Sequence, residues 1–533
     1  MVWLVILLPT LGGLLSGLLL EYVFPGARGS GIPQVKIAYE IKGGRLPLRE
    51  SIGKFLVGVL QIGSGASLGR EGPTVHICSG IASVLGKTFA LSQQNLKRLL
   101  PVGAAAGIAA AFNAPIAAVT FTIEEVVGDL DQTVLSGVIV AAAIAAAIER
   151  SILGEHPVFT ITGQYGLHHF SSIFFYALLG IAAAFVSLAF TESLIGLRNW
   201  FRRLVAVPVW ARPGIGGLVT GVLAALTLYF WQTGGVTGSG YETLSTALSG
   251  QLALRAMIVL CLLKLVATVF SYSSGGAGGI FAPALFIGGM LGGTVGFLDV
   301  NILGHGSNEI GAFALVGMGA VFAGIIRAPM TSVLIIFEMT GSYGLILPLM
   351  IANMTAYAIA RRFRPTPIYE ALLEQDGIHL PHRDRQRPHL LEQLKVGDAM
   401  TTNIVSLSAK LTVSQALERT ISLSFSIFPV TNQEGRCIGV ITDARLRRNL
   451  AKNAGDSLVE EFVDQVEKIY PDDYLSRAIV KMNQAKTLQL AVIERRHEHK
   501  LVGIITMSDI VRAQAQALEQ VSSIDDSLIP SLN

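Results

Sequence analysis

Runs of apolar residues separated by short polar breaks fill the first two thirds of the chain. The runs lie near residues 1–20, 52–65, 74–90, 101–124, 132–149, 172–190, 214–231, 254–271, 279–297, 310–338 and 344–361. A helix that spans a membrane needs about 20 apolar residues, and several of these runs are shorter or contain Gly and Pro. This pattern predicts an all-α polytopic membrane domain over residues 1–380 with broken helices, which in transporters line sites near the bilayer midplane.

The pattern changes after about residue 380, where charged residues become dense. Residues 381–392 contain prolines without apolar periodicity, which predicts a linker. Two units of strands and helices follow at 393–452 and 458–520, and together they predict one α/β module with a tail at 521–533. A basic cluster, Arg361, Arg362 and Arg364, closes the last apolar run, so this end and the module are predicted to be cytoplasmic.

The membrane part contains an internal repeat. The stretch "VGAAAGIAAAFNAPIAAVTFTIEE" from Val102 matches "VGMGAVFAGIIRAPMTSVLIIFEM" from Val316, and "GSG" occurs both at 29–31 and at 238–240. We infer two homologous halves, about 1–150 and 172–365. Identities do not give their relative orientation, but an inverted pair is common in transporters.

Composition agrees with a membrane protein. Of 533 residues, 51% are hydrophobic and only 14% charged, with a mean hydropathy of +0.56. The net charge is +3 without a basic run, so nucleic acid is not an expected partner. The cysteines, Cys78, Cys261 and Cys437, are far apart and indicate neither disulfides nor a zinc site. We expect no metal and no enzymatic activity.

Three glycine- and proline-containing openings carry the candidate chemistry: "GSGIP" from Gly29, "GREGP" from Gly69 and "GGIFAP" from Gly278. Glycine lets the backbone approach a ligand, and a proline at the start of an apolar run is typical of a helix N-terminus, which attracts anions. A carboxylate at membrane depth indicates function. Glu71 is therefore predicted to occupy the anion site itself, and to act as gate and proton carrier.

These motifs, with the tyrosine of "RPTPIYEALL", resemble the four anion-site segments of the CLC family of chloride channels and transporters. The resemblance implies a fold of two inverted repeats with broken helices, a homodimer with one pore per subunit, and residence in the cell membrane. It implies chloride as the transported ligand. The implied site residues are the hydroxyls of Ser30 and Tyr369, the amides of Ile280 and Phe281, Gly69 and Gly72 around an external site, and Glu71 as the gate.

The family contains passive channels and anion/proton exchangers, and a second glutamate near the cytoplasmic side marks many exchangers. In "FTIEEVV" this position is Glu125, which has no acidic counterpart in the other half because Met339 lies there. We therefore favour a chloride/proton antiporter, with a passive voltage- or proton-gated chloride channel as the alternative. Lys36 follows "GSGIP" where acidic residues are frequent, so a carboxylate partner for Glu125 from that loop is absent.

The soluble part resembles a pair of CBS domains, which commonly bind ATP, ADP or AMP. The ribose-contacting Thr-x-x-Asp is present in the second unit as Thr506 and Asp509. The first unit has Thr442 but Arg445 in place of the acid, so at most one orthodox nucleotide site is expected. A dimerisation module without ligand is the alternative.

Overall fold

The computed structural model describes residues 2–128, 132–154, 165–380, 394–421, 423, 427–464, 467–494 and 500–527. The chain divides into two compact units, Met1–His382 and Arg383–Asn533. The predicted linker at 381–392 and the last six residues of the predicted tail lie outside the described residues.

The first unit is entirely helical within its described residues. Its helices are α1 (Val2–Leu18), α2 (Ile32–Glu40), α3 (Leu48–Gly63), α4 (Glu71–Thr88), α5 (Gln93–Phe112), α6 (Pro115–Phe121), α7 (Gln132–Leu153), α8 (Ser172–Arg203), α9 (Arg212–Trp231), α10 (Tyr241–Leu248), α11 (Leu254–Ser273), α12 (Phe281–Leu303), α13 (Asn308–Ile326), α14 (Pro329–Thr340), α15 (Ile346–Phe363) and α16 (Ile368–Gln375). Eight described helices are long and apolar enough to cross a membrane. A π-helical segment, Thr122–Val127, continues α6.

Two of the predicted apolar runs are each two helices. The run 101–124 breaks after α5, where Asn113 has a φ of +50°, and the run 310–338 breaks after α13, where Arg327 has a φ of +71°. In both, the next helix begins at a proline, which has no N–H and so suits a first helical position. The matching breaks agree with the internal repeat.

One face of this unit is rich in arginine. Arg327 and Arg364 meet there at the ends of α13 and α15, with Arg327 donating to the Arg364 carbonyl at 2.9 Å. Arg198, near the end of α8, binds Asp376 with two contacts of 3.0 Å. We call this end of the unit, defined by Arg198, Arg327 and Arg364, the arginine face.

The second unit contains two similar α/β repeats. Its elements are α17 (Val396–Ala399), β1 (Leu407–Ser408), α18 (Val413–Thr420), β2 (Ile427–Thr431), β3 (Cys437–Thr442), α19 (Asp443–Ala451), β4 (Lys468–Ile469), α20 (Leu475–Gln484), β5 (Gln489–Ile493), β6 (Leu501–Thr506) and α21 (Met507–Ser527). The sheets have the orders β1-β2-β3 and β4-β5-β6, each with one parallel and one antiparallel pair. Each repeat has its own apolar core.

Candidate anion and proton site

The loop that carries Ser30 is held by a buried lysine. Gly29 and Gly31 have φ values of +76° and +106°, a conformation that glycine adopts without strain. Lys54 on α3 is fully buried and donates to the carbonyls of Ala27 and Gly29, at 2.5 and 2.8 Å. The ammonium thereby compensates carbonyls that the turn leaves without backbone partners.

The second half has an equivalent arrangement of a buried lysine bound to loop carbonyls. Lys264 on α11 is also fully buried, and it donates to the carbonyls of Gly235 and Gly238 at 2.9 and 2.6 Å. These carbonyls lie just before the helix α10, as those bound by Lys54 lie just before α2. The two "GSG" loops therefore have equivalent supports in the two halves.

A backbone bridge joins the "GREGP" and "GGIFAP" segments. The N–H of Gly69 donates to Gly279 O and the N–H of Gly279 donates to Gly69 O, both at 2.7 Å. Directly after this bridge α4 begins at Glu71 and α12 begins at Phe281. Because the first N–H groups of a helix have no partner inside it, the bridge brings free donors from both halves together.

The Glu71 side chain folds back over this bridge. It is fully buried, and its Oε1 accepts a hydrogen bond from the Tyr241 hydroxyl at 3.0 Å. A methyl group built on Gly69 would lie 2.0 Å from Glu71 Oε2, and one built on Gly279 would lie 3.4 Å from it. The carboxylate also approaches the backbone N–H of Ala282. It therefore lies against the N-terminal backbone of both helices, a position suited to an anion.

Two buried hydroxyls lie deeper in the unit without partners. Ser30 Oγ and the Tyr369 hydroxyl are fully buried and make no hydrogen bond within the described residues. The Tyr272 hydroxyl approaches Ser30 without reaching hydrogen-bonding geometry. Buried polar groups are usually satisfied, so two orphaned donors in one region indicate a place for an acceptor such as an anion.

The Tyr369 hydroxyl is near both candidate glutamates. It is within electrostatic range of Glu125 and of Glu71, with Tyr272 also near. Tyr369 lies in the first turn of α16, which packs against α2. The predicted central hydroxyl is thus close to both the predicted gate and the predicted internal acid.

Apolar side chains surround the start of α12. Ile280 and Phe281 are both fully buried. The Phe281 ring lies 4.7 Å from the ring of Phe112, 5.9 Å from that of Phe121 and 4.3 Å from that of Phe322, measured between centroids. These rings exclude water from the helix N-terminus, so its dipoles act in a low dielectric, where an electrostatic contact is stronger than in water.

Glu125 forms an ion pair with Lys36, the residue found after "GSGIP" where acidic residues are frequent. It lies in the π-helical segment after α6, and its Oε1 is 2.7 Å from Lys36 Nζ. Lys36 also contacts Glu370 Oε1 at 3.2 Å. The segment after "GSGIP", which is helix α2 and not a loop, therefore gives Glu125 an ammonium, while a second carboxylate comes from α16.

The candidate nucleotide-binding residues lie in two separate places of the CBS pair. Thr506 caps α21 by accepting the N–H of Asp509 at 3.2 Å, and Asp509 Oδ2 accepts in return from the Thr506 N–H and hydroxyl at 3.0 and 2.7 Å, as in a capping box. Thr442 caps α19 by accepting the N–H of Arg445 at 3.1 Å, and it lines a cavity of about 330 Å³ between the two repeats. Neither Thr506 nor Asp509 is among the residues that line this cavity. Arg445 binds Asp464, another lining residue, at 2.5 and 2.7 Å.

Sequence reasoning missed several residues of the site. Tyr241 and Tyr272 were not singled out, nor was Glu370, and the lysines that hold the loops were also overlooked. The repeat itself offered one signal, because Tyr241 follows the second "GSG" as Ile32 follows the first. No signal pointed to Glu370, whose contact with Lys36 joins residues far apart in sequence.

Two halves with matching breaks, whose helix N-termini meet near orphaned buried hydroxyls, define a membrane transport protein built from a repeat. The comparisons identify the family. The model of the "Voltage gated chloride channel" family matches residues 12–361, and that of the CBS domain matches 396–452 and 459–516. The chain therefore belongs to the CLC family and carries a C-terminal CBS pair.

Curated relatives support this assignment. The chain is 33% identical over 391 residues to a putative chloride channel protein ClcB-like of Ralstonia nicotianae, covering 71% of this chain and 88% of the relative. It is also 33% identical over 366 residues to the H⁺/Cl⁻ exchange transporter ClcA of Vibrio campbellii, covering 66% and 75%.

Solved structures share the fold. A slow cyanobacterial Cl⁻/H⁺ antiporter has a TM-score of 0.64 at 29% identity, covering 72% of this chain and 88% of that chain. A CLC-type fluoride/proton antiporter gives 0.58 at 26%, covering 69% and 88%. A eukaryotic CLC transporter gives 0.56 at 21%, covering 95% and 89%, which supports the fold alone. The predicted fold class, all-α membrane repeats with an α/β CBS pair, is confirmed.

Proposed function

We propose that this protein is a secondary active antiporter that exchanges chloride for protons. The observation that carries the proposal is the proximity of two kinds of group: the hydroxyls of Ser30 and Tyr369 are buried without partners, and Tyr369 is within electrostatic range of both Glu71 and Glu125. A dehydrated halide needs donors without a full cation beside it, which hydroxyls and helix N-termini supply. The two carboxylates near that place supply the proton-binding groups.

Glu71 is the gate in this proposal. As a carboxylate it lies over the N-termini of α4 and α12, where it competes with chloride for the same donors. A protonated Glu71 loses its charge, so its attraction to these donors weakens and chloride takes its place. One side chain thereby couples the movement of a proton to that of the anion. Glu125 binds and releases the proton at the internal end of the site.

Parallel flux measurements test the proposal. The purified full chain is reconstituted in liposomes with a chloride gradient, and the membrane potential is clamped with an ionophore. Chloride efflux with opposed proton movement that stops when chloride is removed is the expected result. Chloride efflux without proton movement would identify the passive channel, and absence of both fluxes would leave a CBS module on a membrane anchor. The same measurement with fluoride in place of chloride compares the transport rates of the two ions.

We also infer the orientation and assembly. The basic residues of the arginine face favour its placement in the cytoplasm, together with the CBS pair that follows. Family resemblance favours a homodimer in the cell membrane with one pore per subunit. The exposed apolar side chains Ile144 and Ile148 on α7 and Met330 on α14, each more than half exposed, suit either a subunit or lipid. Cross-linking in native membranes, followed by mass measurement, tests the dimer.

Regulation by adenine nucleotide is the remaining part of the proposal. The cavity between the CBS repeats has about 330 Å³, within the range of small-molecule sites, and Thr442 lines it. ATP, ADP or AMP is the expected ligand by resemblance to CBS pairs. We assign no enzymatic activity and no metal, since the proposed chemistry is transport.

A further inference from the structure

One ammonium is shared by two carboxylates beside the anion site. Lys36 Nζ lies 2.7 Å from Glu125 Oε1 and 3.2 Å from Glu370 Oε1. The side chains of Lys36, Glu125 and Glu370 are 9%, 4% and 10% exposed, so all three are largely withdrawn from water. They come from α2, the π-helical segment and α16. With every member ionised the cluster carries a single net negative charge, which leaves it able to accept a proton.

The second carboxylate changes what protonation of the first requires. In a cluster of only Lys36 and Glu125, a proton on Glu125 would leave a buried ammonium without a counter-ion, which is strongly unfavourable. Glu370 prevents this because it stays paired with Lys36 when Glu125 becomes neutral. A proton-carrying residue that must gain and lose its charge in every cycle needs such a partner.

We propose that Lys36, Glu125 and Glu370 form a single internal proton-exchange site, in which Glu125 binds the proton while Glu370 keeps Lys36 paired. This inference rests on the proposed exchange function and extends it to two positioning residues. In the step itself, a proton from water binds the Glu125 oxygen that Lys36 releases. Lys36 keeps its contact with Glu370, and the reverse step restores the first arrangement.

The neighbouring charged groups have contacts of their own. The Tyr369 hydroxyl is within electrostatic range of Glu125 and is a neutral donor. Further along α2, Glu40 is 3.7 Å from Lys97 of α5. Glu124, next to Glu125, is bound to the N-terminus of α14. Among these charged groups, Lys36 and Glu370 are therefore the ones whose contacts depend most directly on the protonation of Glu125.

Two substitutions are expected to shift the pH dependence of proton transport in opposite directions. Lys36→Met removes the cation and leaves two buried carboxylates together, which favours protonation. The pH at which proton transport is half-maximal should rise by about one unit. Glu370→Gln leaves one carboxylate for one ammonium, which favours the ionised pair, so that pH should fall by about one unit.

The test measures chloride and proton fluxes in parallel from liposomes over a series of symmetric pH values. It uses the full chain, both variants, and Glu374→Gln as the control, because Glu374 is an exposed carboxylate on the same helix. Opposite shifts for the two variants with an unmoved control support the inference. Shifts in the same direction, or an unmoved profile for Glu370→Gln, overturn it.

The design separates this inference from the proposed function. Wild-type protein that moves chloride without protons would end the exchange proposal, whatever the variants do. A different outcome overturns only the three-residue site: the wild type exchanges chloride for protons, Glu125→Gln abolishes this exchange, and the pH profile of Glu370→Gln equals that of the wild type. If Lys36→Met does not accumulate as folded protein, the direction of the Glu370→Gln shift decides the question by itself.

Discussion

Glu124 and Glu338 each cap a helix in the other half of the membrane unit. The carboxylate of Glu338 accepts the N–H groups of Ile116 and Ala117 at the start of α6, at 2.9 and 2.7 Å. The carboxylate of Glu124 accepts two N–H groups at the start of α14, at 3.1 and 2.8 Å. Acidic groups stabilise helix N-termini, and here they also tie the two halves together. Glu124 is therefore structural, as its match with Glu338 predicts.

Glu338→Gln tests this structural role. The amide can accept only through its oxygen and carries no charge, so one charge-assisted contact is lost. We expect the free energy of unfolding of the detergent-solubilised protein to fall by about 1.5–3 kcal/mol, the range for hydrogen bonds to charged groups. Thermal denaturation followed by fluorescence measures this, with Glu374→Gln as control. The proton-to-chloride flux ratio should stay at the wild-type value, and a changed ratio would give Glu338 a part in transport.

The repeat explains how much of the fold the sequence could reveal. Apolar runs and the paired prolines Pro115 and Pro329 were sufficient to predict broken helices and two halves. They could not show that the runs containing these prolines are each two helices, since a Pro inside an apolar run is also compatible with a kink in one helix. The left-handed conformations of Asn113 and Arg327 decide this, and they depend on packing around the break.

Glu71→Gln should separate chloride movement from proton movement. The amide resembles the neutral acid in shape but carries no exchangeable charge, so chloride is expected to cross while proton movement falls to the leak of protein-free liposomes. The measurement is the parallel flux assay with a clamped potential. Proton uptake that still follows the chloride gradient in this variant would remove Glu71 from the coupling step.

Tyr241→Phe should make the gate open more easily. The hydroxyl donates to Glu71 Oε1 at 3.0 Å, and this contact stabilises the arrangement in which Glu71 lies over the helix N-termini. A hydrogen bond contributes about 1 kcal/mol, which corresponds to a roughly fivefold increase in chloride turnover. Initial rates of chloride efflux measure it.

Tyr229→Phe is the control for this change, because Tyr229 is 73% exposed. A Tyr241→Phe rate equal to that of wild type would mean that release of Glu71 does not limit turnover.

Tyr369→Ala should weaken chloride binding. Its hydroxyl is an orphaned donor in the fully buried part of the site, and the anion is the acceptor we assign to it. Loss of one such contact predicts a Kd increased by about fivefold or more. Calorimetry with chloride in detergent gives the Kd, and Tyr343→Ala at a 78% exposed position is the control. Wild-type affinity in Tyr369→Ala would remove this hydroxyl from the site.

The internal end of the site shows where sequence reasoning stops. The repeat points to Glu125 because its repeat partner is Met339, but at Lys36 the sequence indicates only the loss of an acidic residue. The structure brings Lys36 to Glu125 and adds Glu370 from the end of the membrane unit. Contacts between such distant segments follow from the packing of α2 against α16, which no local pattern encodes.

The CBS pair permits a comparison of two helix caps. Thr442→Val removes the side chain that caps α19, and Asp509→Ala removes the carboxylate that completes the capping box at the start of α21, so each is expected to cost about 1 kcal/mol of stability. Thr442 lines the cavity between the repeats, whereas Asp509 does not. We therefore expect Thr442→Val to lower the affinity for ATP, ADP or AMP by about fivefold, and Asp509→Ala to leave it near the wild-type value.

Titration of the full-length protein with each nucleotide, followed by the shift in its unfolding temperature, measures this difference. Because both variants weaken the start of a helix, any effect of instability is common to them, and the remaining difference reports contact with the ligand. The reverse order of affinities would place the nucleotide at the Thr-x-x-Asp pair of the second repeat. Absence of a shift for all three nucleotides at millimolar concentration would make the cavity unrelated to adenine nucleotides, and the CBS pair would then act in assembly alone.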